Sequence, residues 1–219
     1  MRHTAAFALV LAILAWGTGS ANADLITNGS FSTPNVGTGW STFSGTGSAA
    51  SDGVNGWTDT LGQIEIDNTA VVGLQPYNGF SHSLEVNSTA PDTIRQTVSG
   101  LTAGTQYDLT FGYGVRPGSG AQELKVFFGS TLLATYNAAN SATGFWTSEN
   151  YLVTATATSG VLEFEGVYAG GQPSYGNEIA DVSLSQAAVP ASEPASIAVL
   201  GAAILVLGLL HRRRATARI

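Results

Sequence analysis

Cysteine is absent from the 219 residues, which excludes disulfide frameworks, thiolate zinc sites and thiol catalysis together. Charge is scarce as well: 11% of residues are Asp, Glu, Lys or Arg, too few for a coiled coil or helical repeat. Yet 44% are hydrophobic, too many for a disordered chain. Between Asp24 and Gln186 only Arg95, Arg116 and Lys125 oppose 14 carboxylates, a net charge of −11. That balance disfavours a nucleic-acid partner, whose phosphates need Lys and Arg. Histidine is nearly missing too. His82 stands alone in this stretch, so a His-rich metal site is excluded, and no Gly-x-Ser-x-Gly nucleophile elbow accompanies it.

Long hydrophobic runs are confined to the two ends. Arg2 and His3 precede an uncharged, mostly aliphatic run of 12 residues from Ala5 to Trp16, too short to span a bilayer. Ala21-Asn22-Ala23 then places small residues at both positions a signal peptidase inspects. Residues 1–23 therefore read as a cleaved signal peptide, its helix leading the export of a chain that starts at Asp24. The second run is 16 residues, Ala195 to Leu210, followed by His211-Arg212-Arg213-Arg214. As a helix it is about 24 Å long against a hydrocarbon core of about 30 Å, and snorkelling arginines make up the difference. Its positive end should stay cytoplasmic.

This tail resembles a known sorting signal. Ser192-Glu193-Pro194-Ala195-Ser196, the apolar helix and Arg212, Arg213 and Arg214 are similar to the PEP-CTERM signal of Gram-negative bacteria, with Ser192 where proline is usual. The resemblance implies recognition by a membrane-embedded exosortase, anchoring in the inner membrane before processing, cleavage near Glu193-Pro194, and release to the cell surface or matrix. Residues 187–196 would be a spacer carrying the motif, and 195–214 the transmembrane sorting helix with its arginines. A plain C-terminal anchor is the alternative.

The stretch from Asp24 to Gln186 is 163 residues, enough to bury roughly 70% of its unfolded surface without disulfides. Its periodicity is two. In Tyr107-Asp108-Leu109-Thr110-Phe111-Gly112-Tyr113 each odd residue is large and apolar and each even one small or polar, the mark of a half-buried strand. Leu124, Val126 and Phe128 share a face in the same way, and 83–87, 93–98, 150–157, 161–167 and 178–184 read alike. Gly129-Ser130 predicts a tight hairpin. Residues 37–62, rich in Gly, Ser and Thr, predict long loops with one or two short strands. Many short strands without a helical stripe predict an all-β, antiparallel β-sandwich, specifically a jelly roll.

This stretch is similar to the galactose-binding-like jelly rolls of carbohydrate-binding modules and of plant cell-wall proteins of unassigned activity. The matching segments are Leu25-Ile26-Thr27-Asn28-Gly29-Ser30-Phe31, Gly56-Trp57, Ser83 to Asn87, Ile94-Arg95-Gln96-Thr97, Tyr107 to Phe111, and Asn177 to Leu184. The resemblance implies that the first and last strands lie together. It also implies a structural calcium where they meet, held by Asp181 and carbonyls near Asn28. Ser32 and Ala180 stand where the family has further carboxylates, and Asp181 as a mere hydrogen-bonding strand end is the alternative.

Stacking chemistry supplies the other candidate. Sugar C–H faces stack on aromatic rings while polar neighbours bond the hydroxyls. Tyr77, Tyr168 and Tyr175 lie in or beside Gly-rich segments expected to be loops, with Arg116 as polar partner; Phe80 and Trp146 are secondary candidates, and Trp57 is expected in the core. Glu163 and Glu165 share a strand face as a solvated pair and straddle no substrate. His82 is expected in a loop. The expectation is a non-enzymatic exported surface or matrix protein associating with polysaccharide. A structural or adhesive module is the alternative, and an extracellular hydrolase the weaker third.

Overall fold

The computed structural model describes residues 23–44, 53–61, 63–139, 143–172, 176–188, 201 and 203–205. The chain divides into two compact units, one ending at Gln186 and the other comprising Ala187–Ile219. Outside the described residues lie the signal segment up to Asn22, Tyr175, Ser192-Glu193-Pro194 and Arg212 to Arg214. In the second unit Gly201 and Ala203 to Leu205 are helical. Among the described residues no helix is long and apolar enough to cross a membrane.

Strands build the first unit: β1 (Trp40–Ser44), β2 (Thr58–Asp59), β3 (Gln63–Asn68), β4 (His82–Glu85), β5 (Thr93–Ser99), β6 (Gln106–Val115), β7 (Gln122–Phe128), β8 (Thr131–Ala138), β9 (Phe145–Thr154), β10 (Ser159–Tyr168) and β11 (Asn177–Gln186). They form two antiparallel sheets, a six-stranded one ordered β1-β3-β4-β11-β6-β9 and a five-stranded one ordered β2-β5-β10-β7-β8. The expected all-β sandwich is observed. Alternation decides which face of each strand is buried. Tyr107, Leu109, Phe111, Tyr113 and Val115 of β6 point into the core, as do Leu124, Val126 and Phe128 of β7.

Strands β3 and β8 lie beyond the expected set. Strand β3 alternates Ile64 and Ile66, both fully buried, with Glu65 and Asp67, and strand propensity disfavours acids. Strand β8 is an edge with no fully buried residue, Thr131, Leu132, Thr135 and Asn137 being exposed and the rest half-covered, so it lacks a strongly apolar face. The expected hairpin joins β7 to β8 through Gly129 and Ser130, with Phe128 opposite Thr131.

The start of the chain lies along β11. Leu25 N donates to Leu184 O at 2.9 Å, and Val182 N to Gly29 O at 2.9 Å. A Cβ on Gly29 would sit 1.9 Å from the Val182 carbonyl, so only glycine permits this approach. Opposite it the β11–β6 register shifts between Ala180 and Ser183, and Asp181 takes a positive φ of 48°. This β-bulge re-aims the Asp181 side chain.

A series of rings ties the layers together. Phe31 meets Trp57 at 5.3 Å, Trp57 meets Phe164 of β10 at 6.1 Å, and Phe164 meets Phe111 of β6 at 5.2 Å. The last contact joins the two sheets edge to face, a favoured aromatic geometry.

Candidate functional site

With Ile64, Ile66, Leu84, Ile179 and Tyr113 facing inward, the intervening residues of β3, β4, β11 and β6 face outward. Register sets them in a row. Glu65 pairs with Glu85, Glu85 with Glu178, Glu178 with Gly114, and Gly114 with Trp146. A second row holds Asp67 opposite Ser83, and Ala180 and Ser148 on either side of Gly112. Three neighbouring strands thus present carboxylates side by side.

An outward face should be solvated, yet Asp67, Glu85 and Glu178 are fully buried and Glu65 is 7% exposed. The β3–β4 connection, residues 69–81, folds back across this face. Trp146 Nε1 donates to Gln75 O at 2.8 Å, Tyr77 Oη bonds Ser148 Oγ at 2.7 Å, and Asn78 Nδ2 donates to Asp181 at 2.8 Å. Beyond the end of β6, Arg116 Nη1 meets Glu85 Oε2 at 2.5 Å, and Gly176 N donates to Glu85 Oε1 at 2.8 Å.

Glu85 is therefore satisfied, whereas no backbone, amide or basic donor reaches either oxygen of Asp67 or of Glu178, which lie against the neighbouring carboxyls. The Ser83 hydroxyl, close to Glu178, and that of Thr69 are buried as well. Burial, reinforced by Asp67, pushes the Glu65 carboxyl up to about 7. Burial likewise holds Glu85 and Glu178 well above the usual carboxylate range, with Arg116 and Asp67 respectively the next influence, and raises Asp67. Burial alone would lower Arg116, but the Glu85, Glu178 and Asp67 carboxylates together outweigh it and keep the guanidinium charged.

Beside the carboxylates the same face carries a ledge of rings. The Trp146 indole lies on Gly114, where a Cβ would come within 2.6 Å, and the Tyr77 ring lies on Gly112, at 2.8 Å. The two centroids are 5.4 Å apart at 44°. Glycine at alternate positions of β6 makes the bed for both. Replacing Gly114 by valine should therefore displace Trp146, read as a red-shifted tryptophan emission. Next to the ledge an open groove of about 520 Å³ is lined by Leu74, Gln75, Pro117, Gly144, Phe145 and Trp146, a volume within the range of small-ligand sites.

Of the sequence candidates, Tyr77 belongs to this ledge, and Arg116 is committed to Glu85 rather than left open. Tyr168 is 65% exposed but ends β10, in the other sheet, instead of lying in a loop. The chain near it returns to the Arg116 end, where Gln172 N donates to Ser119 O at 2.7 Å and Arg116 N to Gly176 O at 3.0 Å. Asn28, with φ of 52°, exchanges side-chain hydrogen bonds with the Thr33 backbone, while the Asp181 carboxylate accepts from Asn78. His82 opens β4 and is not a loop residue; its Nε2 is buried without a partner. Glu163 and Glu165 stand half-buried opposite Arg95 and Lys125. Trp57 is core, as expected.

The buried carboxylates were outside the sequence candidates. The signal was present in Ile64-Glu65-Ile66-Asp67, Leu84-Glu85-Val86 and Glu178-Ile179, which put acid and aliphatic on opposite faces. Strand order, which brings them together, is not written locally.

No family model matches the chain, and no curated protein matches it. Solved structures do. A cyclase from Fischerella sp. TAU is 13% identical, with a TM-score of 0.48 over 78% of this chain and 100% of that one. The CBM22-1 xylan-binding domain of Paenibacillus barcinonensis Xyn10C is 14% identical, with a TM-score of 0.45 over 78% and 99%. The chain spans only 21% of the enzymatically active domain of bacteriophage CBA120 tailspike protein 4, at 18% identity and a TM-score of 0.42 over 75% of this chain. Carbohydrate-binding modules are thus among the structures this chain is similar to.

Proposed function

We propose that this is an exported, non-enzymatic surface or matrix protein whose jelly roll associates with polysaccharide. The observation that carries the reading is the Trp146–Tyr77 ledge beside an open groove. Rings held flat on glycines by hydrogen bonds to Gln75 and Ser148 are preorganised, so little ordering entropy opposes stacking. One exposed ring adds on the order of 1 kcal/mol beyond burial, so single-site affinity is modest. Display of many copies on a polymer supplies the rest by avidity. Tyr168 and Tyr175, with Arg116 as polar partner, are the further stacking candidates of this reading.

In a pull-down on insoluble polysaccharides, the full-length protein should be retained, and Trp146→Ala should lose about tenfold in retention with an unchanged melting curve. Replacing Tyr77, Tyr168 and Tyr175 together by alanine should weaken retention further. Unchanged retention in both variants would remove the sugar site and leave a structural or adhesive module. Sugar released from the same polymers would instead mark a hydrolase.

The ends of the chain complete the proposal. The mature protein begins at Asp24 after cleavage following Ala21-Asn22-Ala23, and an exosortase cleaves it near Glu193-Pro194 after a stage anchored in the inner membrane. A structural calcium at Asn28 and Asp181 remains part of this reading. Intact-mass spectrometry of protein from the native envelope should give a species that starts at Asp24 and lacks Arg212 to Arg214. A species retaining those arginines in exosortase-competent cells would leave a plain anchor.

A further inference from the structure

We propose that the carboxylates beneath the 69–81 connection bind one hard divalent cation of calcium size, held by Glu65, Asp67 and Glu85, with Glu178 against Asp67. The inference is independent of sugar binding and of the Asn28–Asp181 junction. It starts from charge. When ionised, the four carboxylates face one guanidinium, which leaves three negative charges uncompensated in a region closed to solvent. Buried charges of one sign are not tolerated without a partner.

Geometry then narrows the choice. Glu65, Asp67 and Glu85 each offer an oxygen, and these all lie within 4.8 Å of one another. Oxygens bound to one calcium at 2.3–2.6 Å can be no more than about 5.2 Å apart, so the spacing of all three is compatible with a shared ion. The buried oxygens decide the matter. Asp67 and Glu178 have both oxygens buried with no backbone, amide or basic donor, their polar neighbours being the other carboxyls and the Ser83 hydroxyl. A cation would satisfy them together.

The donor set selects its kind. Every group is a hard oxygen, with neither imidazole nor thiolate, so zinc and copper are poorly served. Calcium accepts six to eight oxygens in irregular geometry, whereas magnesium demands an octahedron and keeps several waters. Carboxylates from three strands, buried from solvent, suit calcium. The bound ion would fix the relative positions of β3, β4 and β11, and a dication would reduce the local charge from −3 to −1.

Full-length protein in detergent, stripped with chelator and dialysed, is titrated with calcium chloride by calorimetry and scanned for melting. One calcium per chain that persists in Asp181→Asn is expected, beside any held at the Asn28–Asp181 junction, with the melting temperature rising by about 5–10 °C at a hundredfold excess over Kd. Asp67→Asn and Glu178→Gln should each weaken binding by about a hundredfold, the upper range for losing even an outer-shell partner. Asp181→Asn should keep it. The proposal is overturned if the wild-type protein binds no calcium at millimolar concentration, the carboxyls then being neutralised by protons. It is equally overturned if Asp181→Asn removes the ion while Asp67→Asn and Glu178→Gln retain it. Should the cluster variants fail to fold, wild-type crystals grown with calcium give the answer: an anomalous peak between Glu65, Asp67 and Glu85 supports the site, and its absence there refutes it.

Discussion

Replacing Trp57 by alanine is expected to destabilise the β-sandwich by about 3–5 kcal/mol, the usual cost of emptying a buried Trp or Phe site. The side chain is 2% exposed and sits between Phe31 and Phe164. Its indole N–H donates to Asn28 O at 3.4 Å, so truncation also leaves that carbonyl without the bond. The neighbourhood cannot close over the cavity easily. Gly56, at φ of +85°, already lies against Thr27 and Gln96, and Gln96 holds the Thr27 backbone by donating to its oxygen and accepting from its N–H. Domains are stable by only about 5–15 kcal/mol, so the variant should sit near the edge of unfolding. Urea denaturation should show the midpoint falling with the slope unchanged. A loss below about 1 kcal/mol would mean that Trp57 does not anchor the N-terminal segment to the sheets.

Trp57 also shows where sequence reading succeeds. A lone tryptophan after a glycine, flanked by small and polar residues, has one economical role, which is to fill a core. Strands β6 and β7 were legible for a related reason: one face of each is solvated or polar, so alternation survives in the sequence. Strand β3 failed the same test from the other direction. Its alternation is intact, but Glu65 and Asp67 on one face are as buried as Ile64 and Ile66 on the other, and acids weigh against a strand. What defines β3 is the connection folded over it.

The candidate site was legible only in fragments. Tyr77 and Arg116 could be picked out by type and by their Gly-rich surroundings. That Tyr77 lies on Gly112 beside Trp146, and that Arg116 turns inward to Glu85, follows from β6 pairing with both β9 and β11. These pairings join residues far apart in the chain, and local pattern carries no trace of them. The acidic cluster is the extreme case. Each carboxylate alone reads as a solvated strand residue on an acidic domain, and only the order β3-β4-β11 makes them neighbours.

That neighbourhood sets the pH response of the chelator-stripped protein, which is expected to be less stable at pH 8 than at pH 5. The groups facing one another are Glu65 and Asp67 from β3, Glu85 from β4, Glu178 from β11 and Arg116 beyond β6. All four carboxylates have folded-state affinities for protons above their ordinary values, by burial first. A carboxyl raised on folding contributes stability that is fully present below its unfolded pKa and is lost as pH rises through its folded one. Glu65 moves from 4.5 to about 7, so its contribution disappears between those values and amounts to about 3 kcal/mol. Glu85 and Glu178, raised further, extend the loss to higher pH. The wild-type curve is read against Glu178→Gln and Glu65→Gln. Each amide removes a charge that must otherwise be neutralised, so the variants should exceed the wild type at pH 8 and converge on it at pH 5. Melting curves at both values in excess chelator test this. Wild-type stability that rises from pH 5 to pH 8, with no gain from either amide, would mean that the cluster keeps its charges without help. In that case the buried acids have compensating donors from the chain itself.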